Sequence, residues 1–452
     1  MSRWTGAQVA AALETAVPPD LAFSGISTDT RAVRPGELFV ALAGERFDAH
    51  QFLPQAAQAG ARAAVVRRGT PPVPGLALLP VDDTLSALGR LARARRRGVP
   101  GPVVAVTGSN GKTATRAMLA AALGTRWRTH ATRENLNNLV GVPLTVLEAA
   151  DDVEALVVEC GASVPGEVAR LRDVVEPTVA VITNVSAAHL SGFGSQEQVM
   201  TEKLSLLKGV SLGVVGQRPP ELAARARAAA RRAVAAGLAP GADFTPDRWH
   251  VDERGRPVLT VQGTRVALPL VGRHQAENAA VVLAVCRELG LDLPRVAEAL
   301  ARVELPHGRC EIVSAGDLTL INDTYNANPG SLAAALDVAR SIRGNRPLVI
   351  LVGTMLELGA ESRALHEEMG RQVLAAGPDL IGAVGEFVPV LERQQLGARL
   401  VTATDADALG RAVAARLTGG ELVLLKASRG MQMEKAIPHL IGGKEGTCST
   451  TC

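Results

Sequence analysis

Short runs of consecutive apolar residues recur along the chain, separated by polar, glycine-containing loops and by longer stretches with helical spacing. Residues 103–106, 155–158 and 179–182 read as fully buried strands, as do 318–321, 348–352, 380–384 and 422–425. Residues 83–97 place Leu85, Leu88 and Leu91 on one helical face, 114–123 are helical in spacing, and Thr5-Gly6-Ala7-Gln8 is a capping box ahead of Val9–Leu13. Strand and helix alternate, so the fold class is α/β with largely parallel sheets covered on both faces. Gly98-Val99-Pro100-Gly101-Pro102 breaks the rhythm, which starts again near residue 308. Three domains are therefore expected, at 1–98, 99–307 and 308–452. Within the second, 221–236 reads as a surface helix, 248–270 as hairpin strands added antiparallel to the sheet, and 272–278 as the polar start of another helix. The third is Rossmann-like in layout but lacks Gly-x-Gly-x-x-Gly, which speaks against a dinucleotide site.

Composition narrows the class. The 452 residues are 47% hydrophobic, with no apolar run of membrane-spanning length and no signal-like start, so a cytoplasmic protein without membrane insertion is expected. Five cysteines scattered along such a length do not make a disulfide framework. Cys448 and Cys452 lack partner ligands, and the tail reads as a frayed terminus rather than a metal site. Net charge is only +3, and the basic run Arg93–Arg97 falls at a helix end, where it complements the helix dipole. No aromatic residues interleave with it, which argues against nucleic-acid partners. Of 48 basic residues six are lysine, so a lysine that persists marks a place where a compact ammonium or a deprotonatable amine is needed. Lys112, Lys203 and Lys426 become candidates on that ground.

The chemistry gathers at strand ends. Thr107-Gly108-Ser109-Asn110-Gly111-Lys112-Thr113 follows one strand and opens a helix, offering backbone N–H groups to an anion, Lys112 to β- and γ-phosphates and the Thr113 hydroxyl to Mg²⁺. The general Walker A spacing fails by one position, since Val106 stands where a glycine is required. Glu159 ends the next strand, where its burial demands a partner or a metal. His189 lies in the loop after the third, as a hydrogen-bonded loop histidine or a ligand. Lys203 alone reads as an amphipathic-helix lysine. Two N-terminal loops, Ser27-Thr28-Asp29-Thr30-Arg31 and Gly44-Glu45-Arg46-Phe47-Asp48-Ala49-His50, are ordinary turns or a cradle for a phosphorylated ligand. In the third domain, Asn322–Ser331 and Lys426-Ala427-Ser428-Arg429 are polar loops after strands, and the first holds the chain's only tyrosine, Tyr325.

Together these segments resemble the Mur ligases. The carriers are Thr107-Gly108-x-x-Gly111-Lys112-Thr113, both N-terminal loops, Asn135-Leu136-Asn137-Asn138-x-x-Gly141-Val142-Pro143, Asp323-x-Tyr325-Asn326-Ala327-Asn328-Pro329 and Lys426-x-Ser428-Arg429, spanning Ser27 to Glu434. The resemblance implies three domains: an N-terminal UDP-substrate domain, a central P-loop ATP domain, and a Rossmann-like C-terminal domain closing over ATP and acceptor. It implies an ATP-dependent ligase that joins D-alanyl-D-alanine to UDP-N-acetylmuramoyl tripeptide through an acyl phosphate, in peptidoglycan precursor synthesis, with two Mg²⁺; a monomer is the default expectation.

Residue by residue, the resemblance carries catalytic roles to Lys112, Glu159, His189 and Lys203. It carries metal ligation to Thr113, Glu159, His189 and Lys203 as a carbamate. Thr107, Gly108, Ser109, Asn110, Gly111, Lys112, Thr113, Asn278, Arg309, Asp323 and Tyr325 would face ATP. Ser27, Thr28, Asp29, Arg31, Gly44, Arg46, Phe47, Asp48, His50, Asn137 and Asn138 would hold the UDP substrate. Asn326, Asn328, Lys426 and Ser428 would serve the acceptor. Thr354, Ser205 and Ala427 depart from the family pattern, in place of aspartate, glutamate and glycine. Rival readings are the ligase adding the third amino acid, a folylpolyglutamate synthase-like ligase or, in another class, a P-loop switch or nucleic-acid motor.

Overall fold

Four short parallel strands, Ile26–Ser27, Leu38–Val40, Ala63–Arg67 and Ala77–Val81, form the N-terminal sheet in that order. Phe39, Ala64 and Val66 turn one face of it onto Leu53 and Ala56 of the helix Leu53–Gln58. The computed structural model describes residues 4–44 and 47–442. Arg46 of the expected UDP set and the cysteine tail lie outside the described residues. The capping box at Thr5 and Gln8 is formed, with both reciprocal bonds, ahead of the helix Gly6–Leu13.

By packing, the chain divides into two units. The first holds the chain up to residue 106 with 127–162 and 166–180; the second holds 107–126, 163–165 and 181 onward. In the first, Thr129–Ala131, Ala155–Glu159 and Val103–Thr107 lie side by side and parallel. The helix Thr84–Arg96 starts on the side chain of Asp83 and ends in the arginine run. That run does more than offset a helix dipole. Arg97 and Arg93 bind the Glu176 carboxylate, and Arg96 Nε donates to the Val175 and Glu176 carbonyls at 2.7 and 3.0 Å.

In the second unit, six strands run in the order Glu311–Ala315, Leu318–Asp323, Leu422–Lys426, Leu348–Val352, Leu380–Ala383 and Leu400–Thr402. All pair in parallel except the first, an antiparallel edge. Every residue of Leu422–Lys426 is buried. Its two-residue period sends Leu422 and Leu424 to the core under the helices Pro329–Ile342 and Ser362–Ala375, and Val423 and Leu425 to the core under Ala406–Ala414.

Two expectations are corrected. The stretch 221–236 is not one helix: Leu222–Ala229 is helical, and Ala233–Ala235 is a strand parallel to Leu212–Val215. Alanine, a strong helix former, masked a sequence whose backbone gains more from completing a sheet edge. The strands Arg248–Val251, Pro257–Val261 and Thr264–Ala267 form a separate three-stranded antiparallel sheet rather than an addition to the parallel one. Their buried side packs on the helices Arg273–Glu288 and Leu293–Leu300, which satisfies the apolar face without further strand pairing.

Candidate active site

The strand Val103–Thr107 feeds the loop Gly108–Gly111, and the helix Lys112–Gly124 starts on Gly111. Gly108 and Gly111 have φ of +147° and +79°; a Cβ on the first would collide with the Thr183 side chain and on the second with the Asn278 amide. Loop and surroundings are therefore shaped together. The Thr183–Ser186 segment supports the loop from one side. Ser109 N–H donates to the Asn184 carbonyl at 2.9 Å, Asn110 N–H to Asn184 Oδ1 at 3.1 Å, and Ser109 Oγ to the Ser186 carbonyl at 3.0 Å. Lys112 Nζ lies across the loop, donating to the Gly108 carbonyl at 2.8 Å and the Ser109 carbonyl at 3.3 Å. Thr113, next in the helix, is buried. Two positive-φ glycines, an ammonium and a helix start at one place fit a polyphosphate.

The same unit carries the expected adenosine and acceptor residues. Asp323 and Lys426 end adjacent strands in register, and Lys426 Nζ donates to Asp323 Oδ2 at 2.5 Å and to the Asn326 carbonyl at 2.9 Å. Cys310 N–H donates to the other Asp323 oxygen at 3.1 Å, so both oxygens are engaged. Ser428 Oγ donates to the Ala327 carbonyl at 3.2 Å and accepts the Leu356 N–H at 2.8 Å. Arg309 stacks on Tyr325, its guanidinium carbon 3.9 Å from the ring centroid, with Arg429 at 5.7 Å. Arg309 Nε is buried without a hydrogen-bond partner, a donor that a nucleotide oxygen would satisfy. Asn278 Nδ2 donates to Gln275 Oε1 at 3.1 Å. Burial pushes the His274 imidazole down to about 4, against a smaller opposing pull from Asp323, so it is neutral at physiological pH.

His189 takes a left-handed conformation, φ +56°, at the start of the short helix Leu190–Phe193, and its Nδ1–H donates to the Glu357 carboxylate. That bond holds the Glu357 carboxyl below the ordinary range. Ser191 N–H donates to the Glu357 carbonyl at 3.0 Å. Lys203, near the end of the helix Gln196–Leu204, is 1% exposed, with Nζ 5.8 Å from the Phe193 ring centroid. Of the departures, Thr354 Oγ1 accepts the Glu386 N–H at 3.0 Å, Ser205 Oγ donates to the Glu202 carbonyl at 2.6 Å, and Ala427 packs in the core.

In the first unit, Glu159 is 2% exposed, its carboxylate accepts Asn137 Nδ2 at 2.9 Å, and its backbone N–H donates to Thr132 Oγ1 at 2.9 Å. Asn138 Oδ1 accepts the N–H groups of Val140 and Gly141 at 3.1 and 2.8 Å, at the start of the helix Gly141–Glu148. Arg31 grips Asp29 with Nε at 2.9 Å and Nη2 at 2.6 Å, and that bonding lowers the Asp29 carboxyl to about 2. Ser27 Oγ donates to the Asp29 carbonyl at 3.1 Å. Asp48, His50 and Arg67 form a closed set: His50 Nδ1–H donates to Asp48 at 2.6 Å, its Nε2 accepts the Arg67 N–H at 3.0 Å, and Arg67 Nη2 reaches Asp48 at 2.7 Å. Gly44 N–H donates to the Phe47 carbonyl, and the exposed Phe47 ring stacks on Phe52 at 5.4 Å. Thr28 lies just after the strand Ile26–Ser27.

Among the described residues, no three His, Cys, Asp or Glu side chains gather as a metal cage. Mg²⁺ does not need one, because it keeps water and phosphate ligands and takes only one or two protein oxygens. In the second unit the Thr113 hydroxyl, and in the first the Glu159 carboxylate, is each by itself a hard donor of that kind. Residues that the sequence did not single out include Thr183, Asn184 and Ser186, which brace the loop, and Glu357, which holds His189. The first three follow the strand expected at 179–182, in the loop that leads to His189; nothing local to Glu357 marks it.

Taken together, the phosphate loop, its supporting strand-end segment and the arginine-stacked tyrosine define a nucleotide-using α/β enzyme. The chain belongs to the Mur ligase family: residues 22–96 match the Mur ligase family catalytic domain, 106–286 the Mur ligase middle domain, and 308–429 the Mur ligase glutamate ligase domain. It is 37% identical to the UDP-N-acetylmuramoyl-tripeptide–D-alanyl-D-alanine ligase of Escherichia coli, over 95% of this chain and 96% of that protein. Among solved structures, MurF from Acinetobacter baumannii is similar with a TM-score of 0.88 at 30% identity, covering 97% of this chain and 98% of that one. MurF from Thermotoga maritima, solved in complex with ADP, has a TM-score of 0.82 at 29% identity, covering 92% and 97%.

Proposed function

We propose that this chain ligates D-alanyl-D-alanine to UDP-N-acetylmuramoyl tripeptide at the expense of ATP, in the cytoplasmic synthesis of peptidoglycan precursors on which cell shape and division depend. The observation that carries this reading is whole-length likeness, at 37% identity, to an enzyme so named, in a chain whose own loop is built for polyphosphate. We assign the UDP end to 1–98, the ATP phosphates to 99–307, and closure over ATP and acceptor to 308–452, the chain acting as a monomer.

The tripeptide carboxylate attacks the γ-phosphorus of ATP, ADP leaves, and the resulting acyl phosphate is attacked by the dipeptide amine with release of phosphate. Little of this needs covalent help from the protein; positioning and charge neutralisation dominate. Lys112 and the N–H groups where the helix Lys112–Gly124 begins hold the β- and γ-phosphates. Thr113, Glu159, His189 and a carbamate on Lys203 are the protein ligands assigned to two Mg²⁺ ions, which when bound neutralise the crowded phosphate charge. Arginine could not replace Lys203, because carbamate formation needs a neutral primary amine. Asn278, Arg309, Asp323 and Tyr325 serve the nucleoside, and Asn326, Asn328, Lys426 and Ser428 form the acceptor side. Ser27, Thr28, Asp29, Arg31, Gly44, Arg46, Phe47, Asp48, His50, Asn137 and Asn138 form the UDP-substrate side.

Mass spectrometry of UDP-muramoyl tripeptide incubated with enzyme, ATP, Mg²⁺ and D-alanyl-D-alanine tests the reading. The pentapeptide product supports it; extension only by a free amino acid or glutamate overturns it.

A further inference from the structure

Asn110, in the phosphate loop, has every polar group engaged by protein. Its N–H donates to Asn184 Oδ1, its carbonyl accepts Thr183 Oγ1 at 2.5 Å and Asn184 Nδ2 at 3.1 Å, and its side-chain Nδ2 donates to Ser186 Oγ at 3.2 Å. The remaining group, Oδ1, accepts Asn328 Nδ2 at 2.8 Å, across 218 positions of sequence. Asn328 in turn uses its Oδ1 to accept the Ser331 N–H at 2.9 Å, capping the helix Pro329–Ile342, while its own N–H donates to Ser331 Oγ at 3.0 Å. The contact is close-packed. A Cβ on Gly330 would come to 3.0 Å from Asn110 Nδ2 and 3.4 Å from Ser186 Oγ.

We propose that Asn328 is a positioning residue for the phosphate loop: its amide caps a helix at one end and fixes Asn110 at the other, holding the loop in the shape that receives nucleotide. This rests on reading the loop as the ATP site, and it gives Asn328 a task beyond the acceptor side. Lys426 strengthens the arrangement, since it ties Asp323 to Asn326 and so shapes the turn from which Asn328 projects. A loop ordered before nucleotide arrives loses less conformational freedom on binding.

The test is calorimetric binding of a non-hydrolysable ATP analogue with Mg²⁺ to the full chain, a readout that does not depend on which substrates are ligated. Asn328→Ser retains a strong N-cap but removes the amide that reaches Asn110. It should weaken binding roughly five- to tenfold, the worth of one neutral hydrogen bond. Asn110→Ala should do at least as much, and the double variant should bind no more weakly than Asn110→Ala alone. Ser331→Ala, which loosens the cap without touching Asn110, should bind as the wild type does. Wild-type affinity in Asn328→Ser, multiplying effects in the double variant, or equal weakening by Ser331→Ala would overturn the proposal. Should Asn110→Ala abolish binding, the Asn328→Ser and Ser331→Ala affinities decide.

Discussion

His189 Nδ1 donates to the carboxylate of Glu357, 168 positions along the chain, and the bond fixes which imidazole nitrogen keeps its lone pair. With Nδ1 carrying the proton, Nε2 is the nitrogen able to meet a metal. A partner of this kind orients a ligand and raises its basicity. Glu357→Ala should raise the Mg²⁺ concentration for half-maximal rate roughly tenfold, the lower end of what loss of such partners costs. Glu357→Gln, which still accepts from Nδ1, should fall between the two. Initial rates across a Mg²⁺ titration check this; unchanged Mg²⁺ dependence in Glu357→Ala would remove the orienting role.

Lys203 is buried beside Phe193, in a chain that otherwise prefers arginine. A lysine there that carries a carbamate presents an extended carboxylate instead of an ammonium. Lys203→Ala should remove most activity, and bicarbonate or a short carboxylic acid should restore part of it. Lys203→Arg should stay inactive under the same additives. Normal turnover of Lys203→Ala in bicarbonate-free buffer would refute the carbamate.

What could be read from the sequence follows from how each feature is encoded. Parallel strands buried on both faces are written as unbroken apolar runs, so 103–106, 155–158, 348–352 and 422–425 were legible to within a residue. Glu311–Ala315 is a half-buried antiparallel edge in which Glu311 and Ser314 interrupt the apolar residues, and no such run marks it. The short strand Ala233–Ala235 was hidden by alanine. In the site, the phosphate loop is contiguous and its glycines announce it. The His189–Glu357 pair joins segments distant in sequence, and only folding supplies the partner. Asp48 and His50 lie between these cases: two positions apart, they satisfy each other, and the third partner, Arg67, comes from a neighbouring strand.

The backbone of the phosphate loop leaves no room for a side chain at Gly111. Its φ of +79° disfavours any L-residue, and a Cβ there would strike the Asn278 amide. Gly111→Ala should therefore weaken ATP-analogue binding by at least about tenfold, combining left-handed strain with displacement of Asn278. The fold should survive, since the change lies at a helix start and not in a core. Fluorescence titration with a labelled ATP analogue, beside a thermal melt, separates the two effects; wild-type affinity in the variant would contradict the fit between loop and Asn278.

Glu176 offers a pH-dependent prediction away from the nucleotide. Arg97 donates to it at 2.8 and 2.9 Å, Arg93 adds a further bond, and these lower its carboxyl from 4.5 to about 2. A carboxyl with a native pKa below its unfolded value contributes its full stabilisation above the unfolded value and loses it as pH falls through the native one. The Glu176 contribution should therefore be complete above pH 4.5 and should fade between 4.5 and about 2. Glu176→Gln should cost about 1 kcal/mol near neutral pH, a partly exposed charge network being worth little more. Its melting temperature should then converge on that of the wild type as the solution is acidified through this window. Curves that stay parallel from pH 7 to pH 2 would show that Arg93 and Arg97 do not hold the Glu176 carboxylate in its charged form.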